Sequence, residues 1–140
     1  MNKMPPEELC AIIEKAKVLF LATADGDQPK NRPISGHFID GGRVVFGIGD
    51  FKDVYRQLRA NPKLEFAGLC EGAKWLRLTG RAVFDEGAER EAHQAKMLEA
   101  LPSLRNIYNA ETGNKLMTFH LEDATVEVVN LMPPGETWSL

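Results

Sequence analysis

Two basic side chains frame one short stretch of this chain and have no structural task of their own. They are Arg32, in Asn31-Arg32-Pro33, and Lys52, in Gly49-Asp50-Phe51-Lys52-Asp53-Val54. The second segment reads as a strand ending near Ile48, followed by a helix starting near Asp50 that Asp50 can cap. A helix start carries partial positive charge, so a Lys in the first turn sits at the unfavourable end. Backbone N–H groups without partners point at the same spot, which suits a bound phosphate. If Arg32 reaches that place too, the pair forms a clamp in which Arg grips with parallel hydrogen bonds and Lys acts as a point charge. The competing reading is bland: a solvated Lys, and an edge-strand Arg that is exposed or paired with Asp or Glu.

A second group lies in Trp75-Leu76-Arg77-Leu78-Thr79-Gly80-Arg81-Ala82-Val83-Phe84. The even positions are apolar or small and belong to the core. Trp75, Arg77, Thr79 and Arg81 then share the opposite face, as an interface or a ring-stacking surface. The alternative is a Trp lying on a surface helix. His37, His93 and His120 have no ligand-like spacing, and no metal site is expected. His93 reads as solvated on an Ala-rich helix, whereas His37 shares its predicted strand with Arg32. Nothing resembles a catalytic triad, a phosphate-cradling Gly-rich loop or a dinucleotide fingerprint. No catalytic residue is assigned. His37 and Tyr55 are the only candidates for acid-base work, and Tyr55 falls on the core face of its helix. A phosphate site without acid-base machinery points to a bound cofactor that carries the reaction.

The elements that must position these residues follow from periodicity. Leu9, Ile12, Ile13 and Ala16 recur at helical spacing within an N-terminal helix spanning 1–17. Val18 to Thr23 is a buried strand, and Asp25-Gly26 a turn. Gln28 to Ile39 reads as one strand whose Pro29 and Pro33 confine it to an edge or bulge. Asp40-Gly41-Gly42 is a hairpin turn before the strand Arg43 to Ile48. Phe51, Val54, Tyr55 and Leu58 give a helix that ends at Asn61-Pro62. Lys63 to Cys70 and Trp75 to Phe84 are strands. Ala88, Ala92, Ala95 and Leu98 form the stripe of a surface helix, Pro102 to Ala110 a helical turn, and Leu116 to Val129 a long strand bent at Asp123. Residues 130–140 are expected to be irregular. Six strands with short connections and few helices favour a mostly antiparallel, closed or partly closed barrel.

One domain spans 1–140, and 44% apolar with 26% charged residues is ordinary globular chemistry. The net charge of −3 gives no general attraction for nucleic acid or acidic membranes, so an anion site must be local. Two cysteines without metal-like spacing, no leader pattern and no long apolar run favour a cytoplasmic protein.

Phe20-Leu21-Ala22-Thr23, Arg32-Pro33, Val45-Phe46-Gly47-Ile48-Gly49 with the Lys52 helix, Gln57-Leu58-Arg59-Ala60-Asn61-Pro62 and Trp75-Leu76-Arg77-Leu78-Thr79-Gly80 occur in an informative order. In these the chain resembles the pyridoxamine-5′-phosphate-oxidase-like family of FMN-binding split barrels, from about Leu19 to Val129. The resemblance implies a six-stranded, mostly antiparallel split β-barrel (α+β) with flanking helices, forming a homodimer with FMN at the subunit interface. Arg32 and Lys52 match phosphate contacts. Pro33 and Ile48 belong to the same matched segments. Ile34, His37, Phe46 and Gly47 match contacts along the flavin, and Trp75 a position near the isoalloxazine ring. Gln57 and Arg77 are further contacts, from the partner subunit in one arrangement. Two departures stand out. Ile48 and Phe51 occupy places where many relatives put Ser or Thr hydroxyls around the phosphate, and Asp50 adds a negative charge. The tail Pro133-Pro134-Gly135-Glu136-Thr137-Trp138 lacks the Arg-containing substrate segment of the vitamin-forming oxidase. The implied function is an FMN oxidoreductase passing hydride between flavin and a small molecule or nicotinamide. The alternative is a non-catalytic flavin or haem carrier or sensor on the same barrel.

Overall fold

A computed structural model describes residues 2–130 and 135–140. Among the described residues, nine strands and three α-helices are arranged as β1(Asn2–Lys3), α1(Pro6–Ala16), β2(Leu19–Asp25), β3(Gln28–Ile34), β4(His37–Asp40), β5(Arg43–Gly49), α2(Asp53–Ala60), β6(Lys63–Leu69), β7(Lys74–Phe84), α3(Gly87–Ala100), a 3₁₀ helix Pro102–Asn106, β8(Leu116–Asn130) and β9(Glu136–Ser139). The sheet is not closed. Its main path runs β1-β9-β8-β7-β6-β2-β3, and β5 pairs with β8 and carries β4 at its other edge. This is an α+β split barrel. All pairs are antiparallel except β1 with β9.

One long strand makes this topology possible. The first part of β8 pairs with β5, from Leu116 to Phe119, and its last part pairs with β9, from Thr125 to Val128. The turn of direction falls at Asp123, whose φ of 52° is left-handed, next to a register shift opposite Thr79 and Arg81. A bulge of this kind bends the strand and lets one edge serve two neighbours. The core lies between the curved sheet, α1 and α2. Phe46 stacks on Phe66 with ring centroids 4.8 Å apart and meets Phe119 at 5.6 Å. Leu21, Leu58, Leu76, Leu78 and Val126 fill the space around them. The alternation expected for Trp75 to Phe84 holds, because Leu76 and Leu78 are fully buried. Cys10 and Cys70 are free, and burial pushes the Cys10 thiol up to about 11.

Several expectations need correction. Nine strands stand where six were counted, because short edge strands give weak periodicity. The segment Gln28 to Ile39 is two strands broken at Ser35-Gly36, where Gly36 has φ 101° and its Cα faces Met97 and Leu101. Arg32 and His37 therefore lie on different strands with different neighbours. The N-terminal helix is shorter than 1–17 and follows a strand. The tail is not irregular throughout, since Glu136–Ser139 pairs with β8 and β1; residues 131–134 lie outside the described residues.

The most instructive correction concerns α3. Its Ala88, Ala92 and Ala95 face solvent, and its buried residues are His93 and Met97. A histidine can face inward because it is fully partnered. His93 Nδ1 lies 2.6 Å from Asp85 Oδ2 and Nε2 lies 2.8 Å from Asp40 Oδ2. Thr118 donates to Asp85, and Lys96 to Asp40. Arg90 adds bonds to Gln94 and to the Leu116 carbonyl. The group with metal-like spacing among the described residues, Asp85, Glu89 and His93, thus has both imidazole nitrogens engaged.

Burial alone would push the His93 pKa down, but bonds to Asp85 and Asp40 outweigh it and hold the imidazolium above the usual histidine range. The bonds from His93 and Lys96 hold Asp40 below the usual carboxylate range. The contribution of His93 is therefore full below its unfolded value near 6.5 and fades as pH rises through the raised folded value. That of Asp40 fades as pH falls through its lowered value. His93→Gln leaves Asp85 buried without its cation and should cost about 3 kcal/mol near pH 6. Thermal unfolding of both proteins at pH 6 and pH 9 should show the gap shrinking at the higher pH; a constant gap would mean that His93 is neutral throughout.

Candidate functional site

Arg32 sits in β3 opposite Leu21 of β2. Its guanidinium is half-buried and held by three oxygens, all neutral. Nη1 donates to the Thr23 hydroxyl at 2.6 Å and the Leu21 carbonyl at 3.2 Å, and Nη2 donates to Gln57 Oε1 at 2.7 Å. The Thr23 hydroxyl in turn donates to Gln57 Oε1 at 2.6 Å. Gln57 comes from the buried face of α2, so the network ties that helix to β2 and β3. Burial lowers the Arg32 pKa, and the field of Asp53 partly offsets this. No described carboxylate forms an ion pair with Arg32 or with Lys52.

Lys52 stands at the β5–α2 corner, immediately before the helix, with its ammonium 5.7 Å from the Phe51 ring centre. α2 starts later than expected, at Asp53, and has no side-chain cap. Asp50 does not cap it, because its carboxylate accepts the Lys115 N–H at 3.1 Å while its own N–H donates to the Lys115 carbonyl at 2.9 Å. This clasp fixes the corner to the start of β8. Gly49 is needed there, because a Cβ at that position would lie 2.8 Å from both the Phe51 ring and the Tyr108 hydroxyl.

Both cations line one cavity of about 210 Å³, together with Pro33, Ile34, Ser35, Gly47, Ile48 and Gly49. Met97, Leu104 and Leu116 add apolar lining, and Tyr108 closes the cavity with its hydroxyl beside Gly49. The structure therefore brings together Arg32, Pro33, Ile34, Gly47, Ile48 and Lys52, and Gln57 stands behind Arg32. The corner presents the first N–H groups of α2, two cations without carboxylate partners and a greasy wall. That arrangement can hold the phosphate end of an amphipathic ligand.

The other expected contacts lie elsewhere. The Phe46 side chain is 1% exposed and belongs to the core, so only its backbone can face a ligand. His37 pairs with Phe46 on β4 and lines a separate space of about 20 Å³ with Lys17, Phe66 and Gly36. Burial holds its pKa below the ordinary value. Tyr55 packs edge-on against Phe84, as its stripe implied. Trp75 and Arg77 stay outside the cavity. Arg77 covers the Trp75 ring at 4.6 Å and pairs with Glu127 at 3.0 Å. Trp75 joins Phe20, Ala67, Gly68 and Leu69 in an apolar surface hollow. Within it Phe20 is 48% and Leu69 78% exposed. Sequence reading missed Thr23 as a partner of Arg32, and missed Tyr108. The cross-strand distance from Arg32 to Thr23 is set by hairpin register, and Tyr108 arrives through long-range packing that leaves no local pattern.

A family model described as pyridoxamine 5′-phosphate oxidase matches residues 5–131. No curated protein matches the chain. Among solved structures, a NimC/NimA family protein from Clostridium acetobutylicum is 29% identical, with a TM-score of 0.84 over 97% of this chain and 92% of that one. A pyridoxamine 5′-phosphate oxidase-related, FMN-binding protein from Nostoc punctiforme is 15% identical, with a TM-score of 0.70 over 98% and 91%. A haem-binding protein from Mycobacterium smegmatis is 20% identical, with a TM-score of 0.73 over 99% of this chain and 59% of that one. The last two are likenesses of fold.

The close approach at Gly49 carries its own test. In Gly49→Ala, Phe51 can swing into solvent but the buried Tyr108 cannot, so calorimetry should report a loss of about 1–2 kcal/mol. Unchanged stability would mean that the Tyr108 side chain is not held at the corner.

Proposed function

The chain belongs to the pyridoxamine 5′-phosphate oxidase family, and on that premise we propose that it binds FMN, with the phosphate at the corner between β5 and α2. One observation carries the reading: Arg32 and Lys52, neither with a carboxylate partner among the described residues, line the same cavity at a helix start. Partly burying a guanidinium with no ion pair, and only the field of Asp53 to offset it, is costly, and a bound dianion would supply closer compensation. The residues present fit the group. Arg32 and Lys52 would hold the phosphate, the N–H groups of Asp53 and Val54 would add donors, and Met97, Leu104 and Leu116 would exclude water along the ligand. Bound flavin would supply hydride chemistry toward a small molecule or nicotinamide, while the protein binds and orients.

The second subunit enters the same proposal. A cavity of about 210 Å³ is smaller than the roughly 300–1,000 Å³ that usually encloses a ligand of this size. The apolar hollow of Phe20, Leu69 and Trp75 is a surface that a second copy would cover. In a homodimer, Trp75 and Arg77 would become available to the ring from the partner, the arrangement the family resemblance allows for Arg77.

Three measurements test this. The protein as isolated, or after incubation with FMN, should be yellow, and anaerobic NADH or NADPH should bleach it. A yellow protein that no nicotinamide reduces would instead be a flavin carrier, and a red-brown one a haem carrier. Lys52→Ala should raise the FMN Kd about tenfold and Arg32→Ala more, with Lys52→Ala leaving riboflavin binding unchanged; FMN affinity unchanged from wild type in both variants removes the phosphate assignment. Leu69→Asp should shift sedimentation from dimer to monomer and weaken flavin binding together. A wild-type protein that already sediments as a monomer with flavin bound would dispose of the shared site.

A further inference from the structure

The corner lacks the hydroxyls that Ser or Thr would give it, because Ile48 and Phe51 hold those positions. A different hydroxyl reaches the same place from far along the chain. Tyr108 follows the 3₁₀ helix, is 6% exposed and lines the cavity with Arg32 and Lys52. Its oxygen lies where only a glycine at position 49 leaves room for it. That oxygen makes no hydrogen bond with any described residue, although the rest of the segment is densely bonded. The Tyr108 N–H donates to the Leu104 carbonyl, and the Thr112 hydroxyl and Asn114 amide both donate to the Ile107 carbonyl. Asn109 accepts from the N–H groups of Glu111 and Thr112. The segment is therefore rigid, and the phenol is the one polar group it presents to the cavity without a protein partner.

We propose that the Tyr108 hydroxyl donates a hydrogen bond to the ligand phosphate and stands in for the hydroxyls missing from the turn. The assignment rests on the flavin reading and names one more of its contacts. Three features support it besides position. The ring is wedged between Phe51, 6.2 Å away between centroids, and the packed groups Met97 and Leu116, so little rotamer entropy would be lost on binding. Burial, with a smaller effect from Asp50, holds the phenol above its ordinary pKa, so it stays protonated and can only donate to a dianion. The cavity it lines also carries Arg32 and Lys52 and no Asp or Glu among its described lining residues, so its charge favours an anion.

Tyr108→Phe removes one oxygen and keeps the ring. Because that oxygen bonds to no described residue, the melting temperature should not fall. FMN and riboflavin are titrated into wild-type and variant proteins by flavin fluorescence. The expected result is an FMN Kd raised about tenfold, the effect of one lost hydrogen bond to a charged group, with riboflavin affinity unchanged. Inorganic phosphate should also compete less well against FMN in the variant. An unchanged FMN Kd, or equal losses for FMN and riboflavin, would overturn the assignment while leaving the flavin reading intact. A wild-type protein that takes neither flavin would overturn both.

Discussion

A guanidinium held by neutral oxygens alone is the constraint around which this molecule is arranged. Arg32 is bonded to a carbonyl, a hydroxyl and an amide oxygen, from β2 and α2. Those three contacts fix its direction without neutralising it. A partly buried guanidinium with no ion pair, and only the field of Asp53 to offset its burial, is costly to keep. Its persistence makes sense when the compensating anion arrives from outside. The surrounding elements then read as supports. Gln57 is buried on α2 to brace Arg32, Thr23 ends the apolar run of β2 with a hydroxyl, and the helix begins beside the cavity that Lys52 and Val54 line.

The fold serves this arrangement through the bend in β8. A straight strand would have one neighbour on each side. The left-handed residue at Asp123 splits one edge between β5 and β9, which lets the sheet curl far enough for β5 to face the core and end at the corner. The polar cluster around His93 fixes α3 against the sheet, and α3 delivers Met97 and the following 3₁₀ segment to the cavity wall. Stability and site are thus coupled through a group that no helical stripe of alanines reveals.

What could be read from the residues, and what could not, divides by range. The strand alternation of Trp75 to Phe84, the α2 stripe and the bend at Asp123 depend on local spacing, and the fold follows them. Arg32 and Lys52 were legible because each is badly placed for stability alone. His93 was misread because a histidine among glutamates looks solvated until Asp40 and Asp85 are brought to it from other elements. Trp75 and Arg77 were assigned to a ring-binding position, and within one protomer they lie away from the cavity. Phe46 was read as a contact although its aromatic ring is needed by the core. For His93, tertiary contacts rather than local periodicity decided where the side chain went.

The clasp between Asp50 and Lys115 joins positions 65 residues apart, and it implies an order of events. A chain emerging from the ribosome displays both cations early, yet it cannot assemble the corner until the segment beyond residue 115 is available. Contacts of such high sequence separation are late and slow to form. The corner is then complete only once the whole domain has folded.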